Sequence, residues 1–243
     1  MAIRILFLSA NPSDTQKLQL VEECNDIDDK LRVAEYRDQF DIVQRHAIRI
    51  DNLIYILLRF KPEIVHFSGH GSEEGALVFQ NSDGNAQEVP PRALTDLFRI
   101  VNKDKDIRCI FLNACYSEPQ AEAISDYVDC VIGMSQGVTD TAARQFAAAV
   151  YQALGFGKSI KDAFDLGIVQ LGFSRSDEHI PKLRCRPDVD PSKLFILNGK
   201  SRNVITANEE IHKTYSDSTS QISSQPSGVY DWRIWLPSYL RGG

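Results

Sequence analysis

No apolar run in this chain approaches the roughly 20 residues that a helix needs to cross a bilayer, so no membrane span is expected. Positive charge is also short. Lys and Arg number 27 against 33 Asp and Glu, a formal charge of -6. A basic stripe is the electrostatic mark of a nucleic-acid surface, so direct binding of nucleic acid is not expected either. Cysteine is sparse and odd in number: the five at 24, 109, 115, 130 and 185 show no CxxC spacing. That excludes a complete disulfide framework and a zinc ribbon, and suits a reducing cytoplasm. The first residues lack a basic leader, and Asn11-Pro12-Ser13-Asp14 supplies a turn where a secretory signal would carry a small-residue cleavage site. What is present is ordinary for a globular protein: 43% hydrophobic and 25% charged residues over a length of 243. That length suits one large α/β domain, or one domain and a tail.

Strand and helix patterns alternate from the start. Residues 3–8 form an apolar strand, and residues 17–37 recur at helical spacing through Leu18, Val21, Cys24, Ile27, Leu31 and Ala34. A strand is expected over residues 40–47, then a helix capped by Asp51 and ended by Lys61-Pro62. The strand carrying His66 and His70 follows. Period two then puts both histidines on one face. A hairpin turns at Asp83-Gly84, and Pro90-Pro91 opens a helix over 92–101. Strands at 107–112 and 129–134 alternate with helices at 120–127, 139–154 and 158–171. Residues 172–192 read as an irregular loop and 194–197 as a last strand. This order implies an α/β fold, a mostly parallel sheet with helices on both faces. Composition then shifts. The expected organisation is a domain over 1–200, a polar linker over 201–229 and an aromatic tail over 230–243 with Trp232, Trp235 and Tyr239.

Two segments carry chemistry. Ile64-Val65-His66-Phe67-Ser68-Gly69-His70-Gly71 and Cys109-Ile110-Phe111-Leu112-Asn113-Ala114-Cys115-Tyr116 are apolar strands that stop at a reactive side chain. In α/β folds functional groups collect outside the carboxyl ends of parallel strands. A thiolate attacks an amide carbonyl once a base has taken its proton. His70 is the candidate base and later acid, with Cys115 the nucleophile. Gly71 has no side chain to keep its N–H from a substrate oxygen. With the Cys115 N–H it makes a candidate oxyanion hole.

These motifs, S-G-H-G and L-N-A-C after a Leu-Ser-Ala-Asn-Pro opening, resemble the CHAT family of caspase-like cysteine peptidases, a likeness covering roughly residues 1–200. The resemblance implies a caspase-like fold, the His70/Cys115 dyad and oxyanion donors on Gly71 and Cys115. In such enzymes the position two before the nucleophile lines the P1 pocket. It is Gln in caspases, which cut after Asp, and Asp in metacaspases and clostripain, which cut after basic residues. Here it is Asn113, and a neutral amide cannot offset a buried charged side chain, so a neutral, apolar P1 residue is expected. The loop with Ser135 and Gln136 is expected to form another pocket wall. The family also implies a regulated prokaryotic effector of defence or programmed death, switched on by a separate activator or sensor protein.

Other features have plainer readings. Cys109 and Cys130 lie within apolar strands, Cys24 faces inward on its helix and Cys185 has no assigned role. A metal shared by His66 and His70 lacks an evident third ligand, so no metal and no cofactor are expected. His66 is read as a packing or supporting residue. Gly155-Phe156-Gly157-Lys158-Ser159 imitates a phosphate loop, but Gln152 stands where the motif needs glycine, so a helix break is expected. The last residues, Leu240-Arg241-Gly242-Gly243, match the end of ubiquitin without a ubiquitin-like domain before them. The expected activity is a cysteine endopeptidase acting on a protein substrate. The alternative is a caspase-like interaction module without turnover.

Overall fold

In the computed structural model of the chain, the structure describes residues 2–173 and 177–197. Its first strand, β1 (Ile3–Ser9), is buried from Ile5 onward. Such a run marks a strand covered on both faces. The alternation is plain in the packing. Ile5 and Phe7 join one core with α1 (Leu20–Arg32), α5 (Asp140–Gly155) and α6 (Ile160–Phe173). Leu6 and Leu8 join a second core with α2 (Ile50–Phe60), α3 (Pro91–Val101) and α4 (Glu118–Ser125). Three more strands, β3 (Ile64–Ser68), β7 (Cys109–Asn113) and β8 (Cys130–Met134), are buried along their whole length. With the half-buried β2 (Phe40–Arg45), and with β9 (Pro181–Cys185), they form a sheet in the order β2-β1-β3-β7-β8-β9. The pairs run parallel except for β9, which lies antiparallel to β8. The α/β expectation, a mostly parallel sheet with helices on both faces, is what the structure has.

A second, three-stranded antiparallel sheet stands beyond the end of β3. It contains β4 (His70–Gly71), β5 (Leu77–Gln80) and β6 (Ala86–Val89), with Gly84 at φ +79° in the expected hairpin turn. β3 therefore stops at Ser68. His66 belongs to the central sheet and His70 to the small one, so they do not share one strand face as the period-two reading expected.

Three boundaries also differ. The helix expected over 17–37 is confined to α1, because Asn11 ties up the next turn of chain. Its amide donates to the Leu18 carbonyl at 3.0 Å and its side-chain oxygen accepts the Leu18 N–H at 3.4 Å. Arg49, not Asp51, is the residue before α2. Among the described residues the last strand is β9, inside the segment expected to be a loop, and not residues 194–197. Leu194 and Ile196 are buried by irregular chain, with the Leu194 carbonyl accepting the Ile160 N–H at the start of α6. At the phosphate-loop mimic, Gly157 takes φ +74° after α5 and Ser159 accepts the Asp162 N–H, a helix break and restart. The expected linker over 201–229 and aromatic tail over 230–243 lie outside the described residues.

Candidate active site

Parallel neighbours β3 and β7 end together, with Ser68 opposite Asn113 as their last register pair. Both chains leave the sheet at one edge, and His70 and Cys115 each follow two residues later. The Gly69 N–H donates to the Asn113 carbonyl at 3.3 Å, which keeps the departing chains adjacent. Two residues on, a Cβ added to Gly71 would lie 2.0 Å from the Cys115 carbonyl oxygen. Only glycine permits that approach. His70 and Cys115 are half-buried, unlike the wholly buried strands behind them.

The His70 ring is held by main chain. Its Nε2 lies 2.7 Å from the Gln16 carbonyl oxygen. A carbonyl only accepts, so Nε2 carries the proton and Nδ1 of the neutral ring keeps its lone pair. Gln16 sits in the loop between β1 and α1, which is braced from outside. Ser13 N–H donates to the Gly84 carbonyl at 3.0 Å, Ser13 Oγ bonds Asn85 Oδ1 at 2.8 Å, and Ala86 N–H donates to Asp14 Oδ1 at 2.8 Å. The tip of the β5–β6 hairpin thus buttresses the loop that orients the imidazole.

The sulfur has its hydrogen-bond partners among the described residues on Val138. It accepts the Val138 N–H at 3.4 Å and lies 3.7 Å from the Val138 carbonyl. The next residue, Tyr116, takes φ +55° and donates its N–H to the Gln136 carbonyl at 3.4 Å. A left-handed non-glycine residue is strained and tends to occur at functional turns; here it swings the chain from β7 into α4. Ser72 N–H donates to the Ala76 carbonyl. Alternation along the β4–β5 pair then makes His70–Val78 the next hydrogen-bonded pair and leaves Gly71–Leu77 unbonded. The Gly71 N–H therefore turns away from β5.

Of the residues assigned to the pocket, Asn113 is buried, at 5% exposure. Ser135 is half-buried, with N–H and Oγ both bonded to the Ile180 carbonyl, and Gln136 is exposed. Asn113 belongs to a buried polar cluster that the sequence reading did not find. Its Nδ2 donates to Glu23 Oε1 at 2.7 Å, Ser68 Oγ donates to Glu23 Oε2 at 2.5 Å, and His66 Nε2 lies 2.8 Å from Glu23 Oε1. His66 is stacked between Phe7 and Phe111, with ring centroids 4.9 and 4.8 Å away, and its Nδ1 meets the Tyr151 hydroxyl at 3.1 Å. Glu23 was detectable: in α1 it falls on the Leu20, Cys24, Ile27, Leu31 stripe, where a carboxylate demands partners. The Gln16 carbonyl had no such signal, because every residue has one.

Among the described residues, no group of three His, Cys, Asp or Glu side chains is placed to hold a metal ion. All five cysteines are unpaired. Burial pushes the Cys24 and Cys109 thiols up to about 12, whereas a hydrogen bond from Cys130 lowers the half-buried Cys185. No helix among the described residues is long and apolar enough to cross a membrane.

Comparison with known proteins bears on the family and the fold. A family model described as CHAT domain matches residues 6–179. A curated relative, a Roc-COR-CHAT protease from an unknown prokaryotic organism, is 28% identical over 162 residues; the match covers 65% of this chain and 15% of the relative. The chain thus spans a small part of that relative's length. Two solved structures share the fold. A secreted C11 cysteine protease from Bacteroides thetaiotaomicron has a TM-score of 0.55 at 9% identity, covering 75% of this chain and 66% of that one. Caspase-1 from Spodoptera frugiperda has a TM-score of 0.51 at 10% identity, covering 75% and 85%. The fold is caspase-like.

Proposed function

The chain belongs to the CHAT domain family, and from that premise we propose that it is a cysteine endopeptidase acting through Cys115 and His70. The observation that carries the reading is the shared end of β3 and β7, with Ser68 opposite Asn113, which releases both side chains at one edge of the sheet. His70 Nδ1 takes the Cys115 proton and Sγ attacks the peptide carbonyl carbon. The oxyanion is received by the N–H groups of Gly71 and Cys115. Each such donor contributes a few kcal/mol, roughly 3, to the transition state. His70 then protonates the leaving amine. In the second half a water gives its proton to His70 and hydrolyses the thioester, freeing the acid and the thiol.

The P1 residue is neutral in this reading. Asn113 carries no charge, and the carboxylate behind it already has both oxygens engaged. A charged P1 side chain finds no free counter-ion there, and unpaired burial is unfavourable. Ser135 and Gln136 form the facing wall. The substrate is a protein, the setting the cytoplasm of a prokaryote, and the role that of a defence or death effector released by a separate activator or sensor. The buttressed loop supports this regulation, since whatever engages the tip of the β5–β6 hairpin acts on the loop that holds His70.

An electrophilic peptide with an apolar P1 residue tests the reading. Rapid labelling of Cys115 that disappears in His70→Ala is expected, together with cleavage-site profiles dominated by uncharged P1 residues that vanish in Cys115→Ala. Equal, slow labelling of wild type and His70→Ala would instead identify an interaction module without turnover. Profiles dominated by Arg, Lys or Asp would overturn the P1 assignment alone.

A further inference from the structure

Among the described residues, Glu23 is the only Asp, Glu, Lys or Arg that is buried, at 2% exposure. A carboxylate out of water demands compensation, and replacing such groups with apolar ones is often stabilising. Its only ion-pair partner among those residues is His66; no guanidinium or ammonium neutralises it. Packing alone gives no reason for a charge here.

Its contacts do. One oxygen accepts from Asn113 on β7 and the other from Ser68 on β3, the residues that form the last register pair of the two strands. Beyond that pair a single main-chain hydrogen bond, from the Gly69 N–H to the Asn113 carbonyl at 3.3 Å, joins the chains before they run on to His70 and Cys115. The two oxygens of a carboxylate are rigidly spaced, so accepting from both strand ends reinforces their separation where the ladder is reduced to that one bond. His66, held between two aromatic rings and bonded to Tyr151, fixes the carboxylate in turn. Glu23 also requires the Asn113 amide to face it with nitrogen, because the opposite flip would set two oxygens together. We propose that Glu23 is a positioning residue, a bridging carboxylate that holds the ends of β3 and β7 at the spacing the His70/Cys115 pair requires. The inference rests on the reading of that pair as the reacting groups.

Alkylation of Cys115 by iodoacetamide tests it without a known substrate, in the full chain carrying Cys185→Ser to remove background. Glu23→Gln keeps the shape and one acceptor oxygen but loses the charge. It is expected to slow Cys115 alkylation at neutral pH about tenfold, the scale of effect that small misplacement of reacting groups produces. Its pH profile should move toward that of His70→Ala while the protein stays folded. Ser68→Ala, which frees one oxygen of the bridge and touches neither reacting residue, is expected to act in the same direction to a smaller extent. Folded variants that keep the wild-type rate and pH profile would overturn the proposal, and Ser68→Ala decides it if Glu23→Gln does not fold. His70→Ala runs in parallel. If it leaves alkylation unchanged, the dyad reading fails and takes this inference with it. If it slows alkylation while Glu23→Gln and Ser68→Ala do not, the positioning role alone is lost.

Discussion

At the scale of single residues, the closest approach in the site is between Gly71 and Cys115. A methyl group on Gly71 would sit 2.0 Å from the Cys115 carbonyl oxygen, a backbone atom that no rotamer change can move. Gly71→Ala must therefore displace one of the two turns. Because the proposed reacting groups lie on those turns, turnover should fall about a hundredfold, the penalty for misplacement near 1 Å. Single-turnover kinetics beside a thermal melt checks this; a folded Gly71→Ala protein with normal turnover would contradict it. The sequence displayed this site unevenly. The shared end of the two strands before His70 and Cys115 was legible because reactive side chains follow apolar runs. Glu23 was passed over, although its place on the apolar stripe of α1 marked it. Nothing local in the sequence tells that the Asn113 amide turns to a helix 90 residues away in sequence.

At the scale of elements, the β5–β6 hairpin and the loop between β1 and α1 act on each other through a few exposed hydrogen bonds. Asp14→Ala removes the acceptor of the Ala86 N–H. An exposed hydrogen bond contributes about 1 kcal/mol, so the melting temperature should hardly move. Turnover should fall several-fold with KM little changed, because the loop that carries the Gln16 carbonyl loses a brace. Unchanged turnover in Asp14→Ala would separate the hairpin from the site. The central strands were legible as elements because burial on both faces leaves uninterrupted apolar runs. β9 was not. As an antiparallel edge strand it alternates basic and apolar residues behind a proline, Pro181-Lys182-Leu183-Arg184-Cys185, and lacks such a run. Leu194 and Ile196 misled for the converse reason: they are core residues without a ladder.

At the scale of the whole molecule, the buried thiols couple folding to pH. Burial raises Cys24 and Cys109 from 9.0 to about 12. Below pH 9 both thiols are protonated whether the chain is folded or not. Above it the unfolded chain releases protons that the folded chain retains, so stability is lost as pH rises toward 12. Each thiol contributes a slope of about 1.4 kcal/mol per pH unit in that window. Urea midpoints measured between pH 8.5 and 10.5 should decline, and decline less steeply in Cys24→Ala/Cys109→Ala; equal slopes would refute the coupling. One consequence follows from the Gln16 carbonyl against His70. A saturation mutagenesis map of all 243 positions exchanges side chains and leaves main-chain oxygens in place. The acceptor that sets the tautomer of the proposed base would register as a tolerant position, silent in any screen that infers importance from intolerance. It would show only when an ester replaces the Gln16–Lys17 amide and weakens that oxygen as an acceptor.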